Sequence, residues 1–240
     1  MNIFFKNVAN WCNYQQVIYS VDMLSKEGIF DGIIDLGCGD GDLTGRIMRK
    51  MKSSSFFGID NSSYRIKKAK KRGIIVYKRD LNNRFSIRGK KFNAVISLQT
   101  IEHLQDLDNY FDEITKLLKP NGTVIIATEN LASWHNIAAL FFGQQPFTGP
   151  YLSKKFLIGW HPLTNRKDVM KTTEYDKKGM SPHINVMTTS ALKELLKKND
   201  FMIKDVSGLG YYPFPVFVGK ILSKIDPYHS IYCIITATKK

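Results

Sequence analysis

The 240 residues, 43% of them hydrophobic, suit one compact α/β domain with elaborations and do not demand two full domains. No window approaches the roughly 18 continuous apolar residues of a membrane span, and the start, MNIFFKNVANWCNY, lacks a basic-then-apolar leader layout. Cys12, Cys38 and Cys233 are scattered and form neither a disulfide framework nor a CxxC metal pattern, so a cytoplasmic setting is expected. The formal charge of +14 points to nucleic acid, an anionic membrane surface or an acidic substrate, or else to a Lys-rich solvated surface.

Strand and helix patterns alternate along the chain, which predicts a mostly parallel sheet covered on both faces. A helix over about Val8–Lys26 precedes the sheet. Gly32–Gly37 is a short buried strand. After its glycines, Leu43, Ile47 and Met51 mark one face of a helix, with Asp40 and Asp42 at its start and Lys50 and Lys52 at its end, as the helix dipole favours. Phe56–Asp60 is the second strand; a basic surface helix, Arg65–Arg72 at its densest, follows and stops at Gly73. Gly73–Asp80 and Phe92–Leu98 are the third and fourth strands. Leu107, Tyr110, Phe111, Ile114, Leu117 and Leu118 make one buried helical stripe, ended by Pro120-Asn121-Gly122, and Thr123–Thr128 is the fifth strand. Residues 130–187 hold no sustained period and read as a lid, a binding segment or a disordered stretch. Thr189 or Ser190 caps a helix carrying Leu192, Leu195 and Leu196. Strands over Phe201–Gly208 and Ser230–Lys239 close the chain. Between them Val216–Ile225 has the pattern of a short amphipathic helix able to touch a membrane surface.

The chemistry concentrates in IIDLGCGDGDLTGRI, Ile33–Ile47. An apolar strand ends in Asp35, and Gly37, Gly39 and Gly41 follow at alternate positions before a helix. Glycine permits positive φ and close approach of backbone to a ligand. A dinucleotide phosphate wants an acid-free cradle at the helix N-terminus, which Asp35, Asp40 and Asp42 deny it; Asp42 also occupies the third glycine position of GxGxxG. A ligand carrying an ammonium and a sulfonium welcomes those carboxylates.

This D-x-G-x-G-x-G turn resembles the first motif of the class I S-adenosylmethionine-dependent methyltransferases, whose order of elements residues 30–130 follow. The resemblance implies a Rossmann-like methyltransferase fold: a three-layer α/β/α arrangement around a mostly parallel seven-stranded sheet with an antiparallel last strand. It implies S-adenosyl-L-methionine as cofactor and S-adenosyl-L-homocysteine as product. It sets Gly37, Cys38, Gly39 and Gly41 against the methionine part, with Asp35 orienting the loop. Asp60, followed by Asn61, falls where the family binds both ribose hydroxyls, and two carboxylate oxygens suit a vicinal diol. Asp80 and Leu81 fall beside the adenine, and Leu98 and Gln99 at the carboxyl edge of the sheet, where open α/β sheets bind ligands. Plainer readings stand beside these: Asp60 as a helix cap, a job Asn61 or Ser62 could do instead, and Asp80 as an ordinary turn acid.

QTIEHL, Gln99–Leu104, is similar to the E-H-L of members such as quinone-biosynthesis O-methyltransferases and small-RNA 2′-O-methyltransferases, some of which hold a divalent metal with E-x-x-E-H. Here Gln99 replaces the first acid, and a neutral amide oxygen is a weaker ligand for a hard cation. Glu102 and His103 alone do not complete a site, even with His135 approaching, so no metal is expected. ENLASWHN, Glu129–Asn136, brings Asn130, Trp134 and His135 to the expected substrate opening. The candidate catalytic residues are His103 and His135, as general base for a substrate hydroxyl, and Glu102; the plainer reading makes them pocket-lining groups. No motif fixes His161 or His183. The aromatic-rich additions 130–187 and 208–229, on a single domain of residues 1–240, suggest a lid over a small-molecule, lipid-linked or glycan acceptor. An RNA acceptor is the second reading, favoured by charge but without an appended RNA-binding motif. A cofactor-binding partner subunit without transfer activity is the third.

Overall fold

The computed structural model describes residues 3–52, 55–146, 148–153, 158–159 and 182–240, without the side chains of 3–7 and 9. Helix α1 (Ile3–Lys26) leads into strands β1 (Ile33–Leu36), β2 (Phe56–Asp60), β3 (Ile75–Lys78), β4 (Phe92–Leu98), β5 (Leu118–Glu129), β6 (Phe201–Leu209) and β7 (Tyr232–Lys239). Helices α2 (Asp42–Met51), α3 (Ser63–Lys71), α4 (Leu107–Leu117), α5 (Trp134–Phe141), α6 (Thr189–Lys198) and α7 (Val216–Ile225) connect them. The seven strands lie in the order β3-β2-β1-β4-β5-β7-β6. β1 to β5 pair in parallel, and β7 runs antiparallel between β5 and β6. The chain steps outward from β1 to β3 and then returns to β4 beside β1, so the carboxyl ends of β1 and β4 form the switch point where such sheets bind ligands.

Successive residues of each strand face opposite layers. Ile34, Leu36, Val124 and Ile126 join α4 and α6 in one core, while Ile33, Ile96, Ile125 and Ile234 join α1 and α2 in the other. Coverage on both faces is why the strands read as unbroken apolar runs.

Three details differ from the sequence pattern. Leu118 belongs to a strand: it turns extended at the end of α4 and pairs with Phe92 as the first residue of β5. It fills the same core as α4, so its burial fits either element. Pro120-Asn121-Gly122 therefore lies inside β5, where Asn121 adopts a left-handed φ of 58° and the register with β4 shifts between Phe92 and Ala94. The cap of α6 is Thr188, whose hydroxyl accepts from the Ala191 N–H at 3.1 Å, and not Thr189 or Ser190. Within 130–187, α5 is a regular helix. It buries His135, Asn136 and Ala139 but also exposes Leu140 and Phe141, and those outward apolar side chains erase the polar half of the pattern. His161 lies outside the described residues. Helix α7 occupies the expected span, with Gly219 and Ser223 inward and Phe217, Ile221 and Ile225 exposed. No helix among the described residues is long and apolar enough to cross a membrane.

A single buried acid ties the β3–β4 connection to α4. Glu113, 1% exposed, accepts from the N–H groups of Phe85 (2.8 Å) and Ser86 (2.7 Å) and from Lys116 Nζ (2.8 Å). Burial opposes its charge, but Lys116 and the two amides outweigh burial and hold the carboxyl down from 4.5 to about 2. Glu113→Ala strands two buried donors at about 1–3 kcal/mol each, and should lower the melting temperature at pH 7 by roughly 5–15 °C at this chain size. A depressed folded-state pKa stabilises above the unfolded value and loses that contribution as pH falls. The melting difference between wild type and variant should therefore shrink between pH 4.5 and about 2. A difference that is the same at pH 7 and pH 2.5 would rule out the carboxylate as its source.

Candidate active site

The turn between β1 and α2 is held mainly by the protein itself. Gly37, Gly39 and Gly41 all have positive φ (76°, 56° and 79°). A Cβ on Gly37 would run into the Thr100 side chain, and one on Gly41 would lie 2.6 Å from Ile74 Cδ1, so at both positions only glycine fits. The N–H groups of Gly37 and Cys38 donate to Ile59 O, and the Gly39 N–H donates to Asp60 Oδ2 at 3.0 Å. Asp35 is 3% exposed and accepts a short hydrogen bond from the Thr44 hydroxyl, which couples β1 to α2. Burial raises its carboxyl to about 7, with the Thr44 bond opposing and the Asp60 charge adding to the effect. The acids at 40 and 42 do not line the cavity and are paired with arginines. Asp42 pairs with Arg46 at 3.0 Å and Asp40 with Arg72 at 3.4 Å. The carboxylates that meet the ligand space are those of Asp60, Asp80, Glu102 and Glu129.

Those four line a cavity of about 390 Å³ at the carboxyl ends of β1, β2, β4 and β5, a volume suited to a small molecule. Gly37, Asp60, Asn61, Asp80, Leu81 and Gln99 share its walls. Asp60 is 7% exposed, and its Oδ1 accepts from the Ser62 N–H at 2.8 Å. The cap of α3 is the Ser62 hydroxyl, which accepts from the Arg65 N–H, so Asp60 is not needed as one. Asp80 is both turn acid and cavity wall: it accepts from the Asn82 N–H at 2.9 Å and from the side-chain amides of Asn82 and Asn83. Gln99 sits at φ 56°, and its Nε2 has no hydrogen-bond partner. Such an orphaned donor in a cavity wall suits an acceptor atom of a ligand. Asp35, Cys38, Gly39, Gly41 and Leu98 are not among the residues that line the cavity; Cys38 packs with Ile66, Ala69, Ile74 and Val76.

At the other end lies a cluster of titratable groups. Residues Ile101–His103 form a single 3-10 turn. The Ile184 and Asn185 N–H groups donate to the Glu102 carbonyl at 2.6 and 3.0 Å, and His103 Nδ1 is 3.0 Å from Pro182 O. These bonds carry His183 onto the turn. Its ring lies 5.0 Å from that of His103 and stacks on Tyr151 at 5.0 Å. His183 Nδ1 is also 3.2 Å from Glu129 Oε2. Burial works against a charge on His183, but Glu129 and then Glu102 outweigh it and raise the imidazole to about 9. Glu102, 1% exposed, accepts from the Thr128 hydroxyl at 2.8 Å, and burial pushes its carboxyl up to about 7 against the pull of His183. Burial and the neighbouring His183 lower His103 to about 4, so it is neutral at physiological pH. Ligand atoms of Glu102, His103 and His183 all lie within 4.8 Å of one another, and two imidazoles with one carboxylate are a donor set that divalent ions accept.

Not every expected residue arrives here. His135 is 5% exposed with its ring edge-on to Tyr212, outside the cavity walls. Asn130 is a structural clamp: its amide donates to Tyr228 O and Ser230 O, and its Oδ1 accepts from the Ala132 and Thr189 N–H groups. Trp134 stacks on His229 and donates to the Tyr211 hydroxyl. Glu129 at the end of β5 and Thr148 and Tyr151 beyond it reach the cavity, and His135 does not. His183 completes the Glu102–His103 group in the place considered for His135, and no local motif marks it in the sequence.

Comparison with known proteins identifies the family and the fold. A family model described as "Methyltransferase domain" matches residues 31–204. The ubiquinone biosynthesis O-methyltransferase of Bartonella bacilliformis is 26% identical over 186 residues, 75% of this chain and 64% of that protein. The mitochondrial ubiquinone biosynthesis O-methyltransferase of Dictyostelium discoideum is 30% identical over 208 residues, 79% of this chain and 55% of that protein. The chain thus spans under two thirds of the length of these relatives. Among solved structures, magnesium protoporphyrin IX methyltransferase from Synechocystis PCC 6803, with bound S-adenosylhomocysteine, superposes with a TM-score of 0.62 at 15% identity, covering 100% of this chain and 89% of that one. An S-adenosylmethionine-dependent methyltransferase from Mesorhizobium loti does so with 0.57 at 18% identity, over 86% and 90%. The chain belongs to the methyltransferase-domain family, and its fold is that of the S-adenosylmethionine-dependent methyltransferases.

Proposed function

We propose that this chain transfers the methyl group of S-adenosyl-L-methionine to a hydroxyl of a small organic acceptor. The reading rests on one cavity that joins Gly37, Asp60 and Gln99 at one end to Glu102, His103, Glu129 and His183 at the other. When bound, the cofactor supplies an already activated methyl, so the protein's share is alignment of the acceptor oxygen and removal of its proton. Asp60 accepts hydrogen bonds from the ribose hydroxyls and Gln99 Nε2 donates to the cofactor. Glu102 takes the acceptor proton, since a carboxyl held near 7 is better matched to physiological pH than His103. Thr148, Tyr151 and His183 bring the 130–187 addition to the cavity wall, where it would choose among small-molecule, lipid-linked and glycan acceptors. The curated relatives favour a small organic acceptor over RNA. A second reading is favoured by the close grouping of Glu102, His103 and His183: a divalent cation held there would polarise the acceptor oxygen.

The test is transfer of a labelled methyl to a panel of phenols, prenylated phenols, glycans and short RNAs, with and without EDTA. Transfer to a phenolic or other small hydroxyl is expected. Activity that survives EDTA supports Glu102 as base; activity lost to EDTA and restored by a divalent ion supports the second reading. Tight S-adenosylhomocysteine binding with no turnover on any acceptor would leave a silent partner subunit and overturn the proposal.

A further inference from the structure

The basic charge is segregated in the sequence and, through the topology, in space. Residues 46–91 hold 16 of the 35 Lys and Arg but only two of the 21 acids, Asp60 and Asp80; the rest of the chain carries 19 of each and is neutral. This one stretch therefore accounts for the entire +14. Fifteen of its sixteen cations are exposed, and Arg65 is half-buried. Folded, the stretch supplies most of α2, then β2, α3, β3 and the connection to β4, and β3 is the terminal strand of the sheet. The cations of α3, β3 and 84–91 lie at this edge, with Arg84 and Arg88 on the segment that Glu113 ties to α4, while those of α2 run back toward α1, where Lys50 lies over the Tyr14 ring. Arg65 and Arg79 extend the basic surface to the cavity rim.

We propose that this edge binds a nucleic-acid backbone. Protection of an exposed strand edge by lysine is the simplest competing explanation, but it covers Lys78 and its neighbour Arg79 and leaves the cations of α2, α3 and 84–91 unexplained. Arg46 and Arg72 pair with Asp42 and Asp40, but those acids offset only a small part of the excess. One exposed aromatic ring lies among the charges, and surfaces that track a single strand use such rings for base stacking. Tyr64 is 64% exposed, with Lys68 Nζ 4.4 Å from its ring, whereas Phe57 and Tyr77 pack against the core and are not available to bases. An anionic bilayer fits less well. Phe217, Ile221 and Ile225 are exposed on α7, which packs on β6 at the opposite end of the sheet, and Leu140 and Phe141 are exposed on α5, whereas the basic edge strand exposes one large aliphatic side chain, Ile75. A flat surface would meet the charge at one edge and the apolar side chains of α7 at the other, whereas a flexible strand follows a convex edge.

This surface is independent of what the cavity methylates, and its test needs no turnover. Fluorescence anisotropy with a labelled 20-nucleotide single strand should show binding at 50 mM salt that weakens steeply. With about six phosphates neutralised the logarithmic slope is about −4, a loss of roughly 300-fold by 200 mM salt. K67E/K68E/K70E/K71E on α3 should reduce affinity at 100 mM salt by at least 30-fold and flatten the slope. K67Q/K68Q/K70Q/K71Q should do so by at least tenfold if the reversal impairs folding. K193E/K197E/K198E on α6 should change it less than threefold. Binding indifferent to salt or to the α3 variants would overturn the proposal. So would failure to bind the strand, whether or not the protein sediments with vesicles of anionic phospholipid.

Discussion

Asp60→Ala is expected to weaken S-adenosylhomocysteine binding by at least 100-fold. The carboxylate bridges two parts of the cavity wall, accepting from the Gly39 N–H with one oxygen and the Ser62 N–H with the other while 7% exposed. Its removal leaves both donors without that acceptor and loosens the glycine turn. It also removes the charged acceptor proposed for the ribose diol. Hydrogen bonds to a charged group are worth about 1.5–3 kcal/mol each, so losing two costs on the order of 3–6 kcal/mol, and each 1.4 kcal/mol is a factor of ten in affinity. Asp60→Asn keeps one acceptor oxygen and the shape, and should fall between wild type and Ala. Titration calorimetry with S-adenosylhomocysteine measures both. A change under threefold for Asp60→Ala would place the nucleoside elsewhere in the cavity.

Glu102→Gln is expected to lower turnover by about 10²–10⁴-fold, the usual scale of a lost general base, with cofactor affinity within threefold of wild type. The variant keeps an oxygen for the Thr128 hydroxyl, and segment 182–185 grips the Glu102 carbonyl rather than its side chain. Structure should therefore survive while proton acceptance does not. His135→Ala makes the opposite prediction: its ring faces Tyr212 outside the cavity, so turnover should stay within threefold. Single-turnover methyl transfer with saturating cofactor separates chemistry from binding. Equal losses in the two variants would move the base away from the Glu102 cluster.

Much of this architecture was legible in short-range pattern. β2, β4 and α7 match their expected spans residue for residue, because a short apolar run and an amphipathic helical pattern are local signals. Errors arose where one signal serves two elements. Leu118 is apolar and buried whether it continues α4 or opens β5, and only its pairing with Phe92 decides. Helix α5 carries no amphipathic pattern in the sequence because its outward face is apolar too. The acidic character of the glycine turn is visible in the sequence, but its partners are not: Arg46 and Arg72 pair with Asp42 and Asp40, and the carboxylates that line the cavity are those of Asp60, Asp80, Glu102 and Glu129.

The sequence by itself determined the layered α/β fold, the glycine turn and the acids that close β2 and follow β3, since each depends on neighbours a few positions away. The tertiary structure alone decided that His183, 80 residues beyond His103, completes the Glu102 cluster, and that His135 does not. It alone decided that a basic run becomes the edge of a sheet. Both are long-range closures, fixed by backbone hydrogen bonds from Ile184 and Asn185 to Glu102 and by strand order, and neither has a local periodicity to betray it.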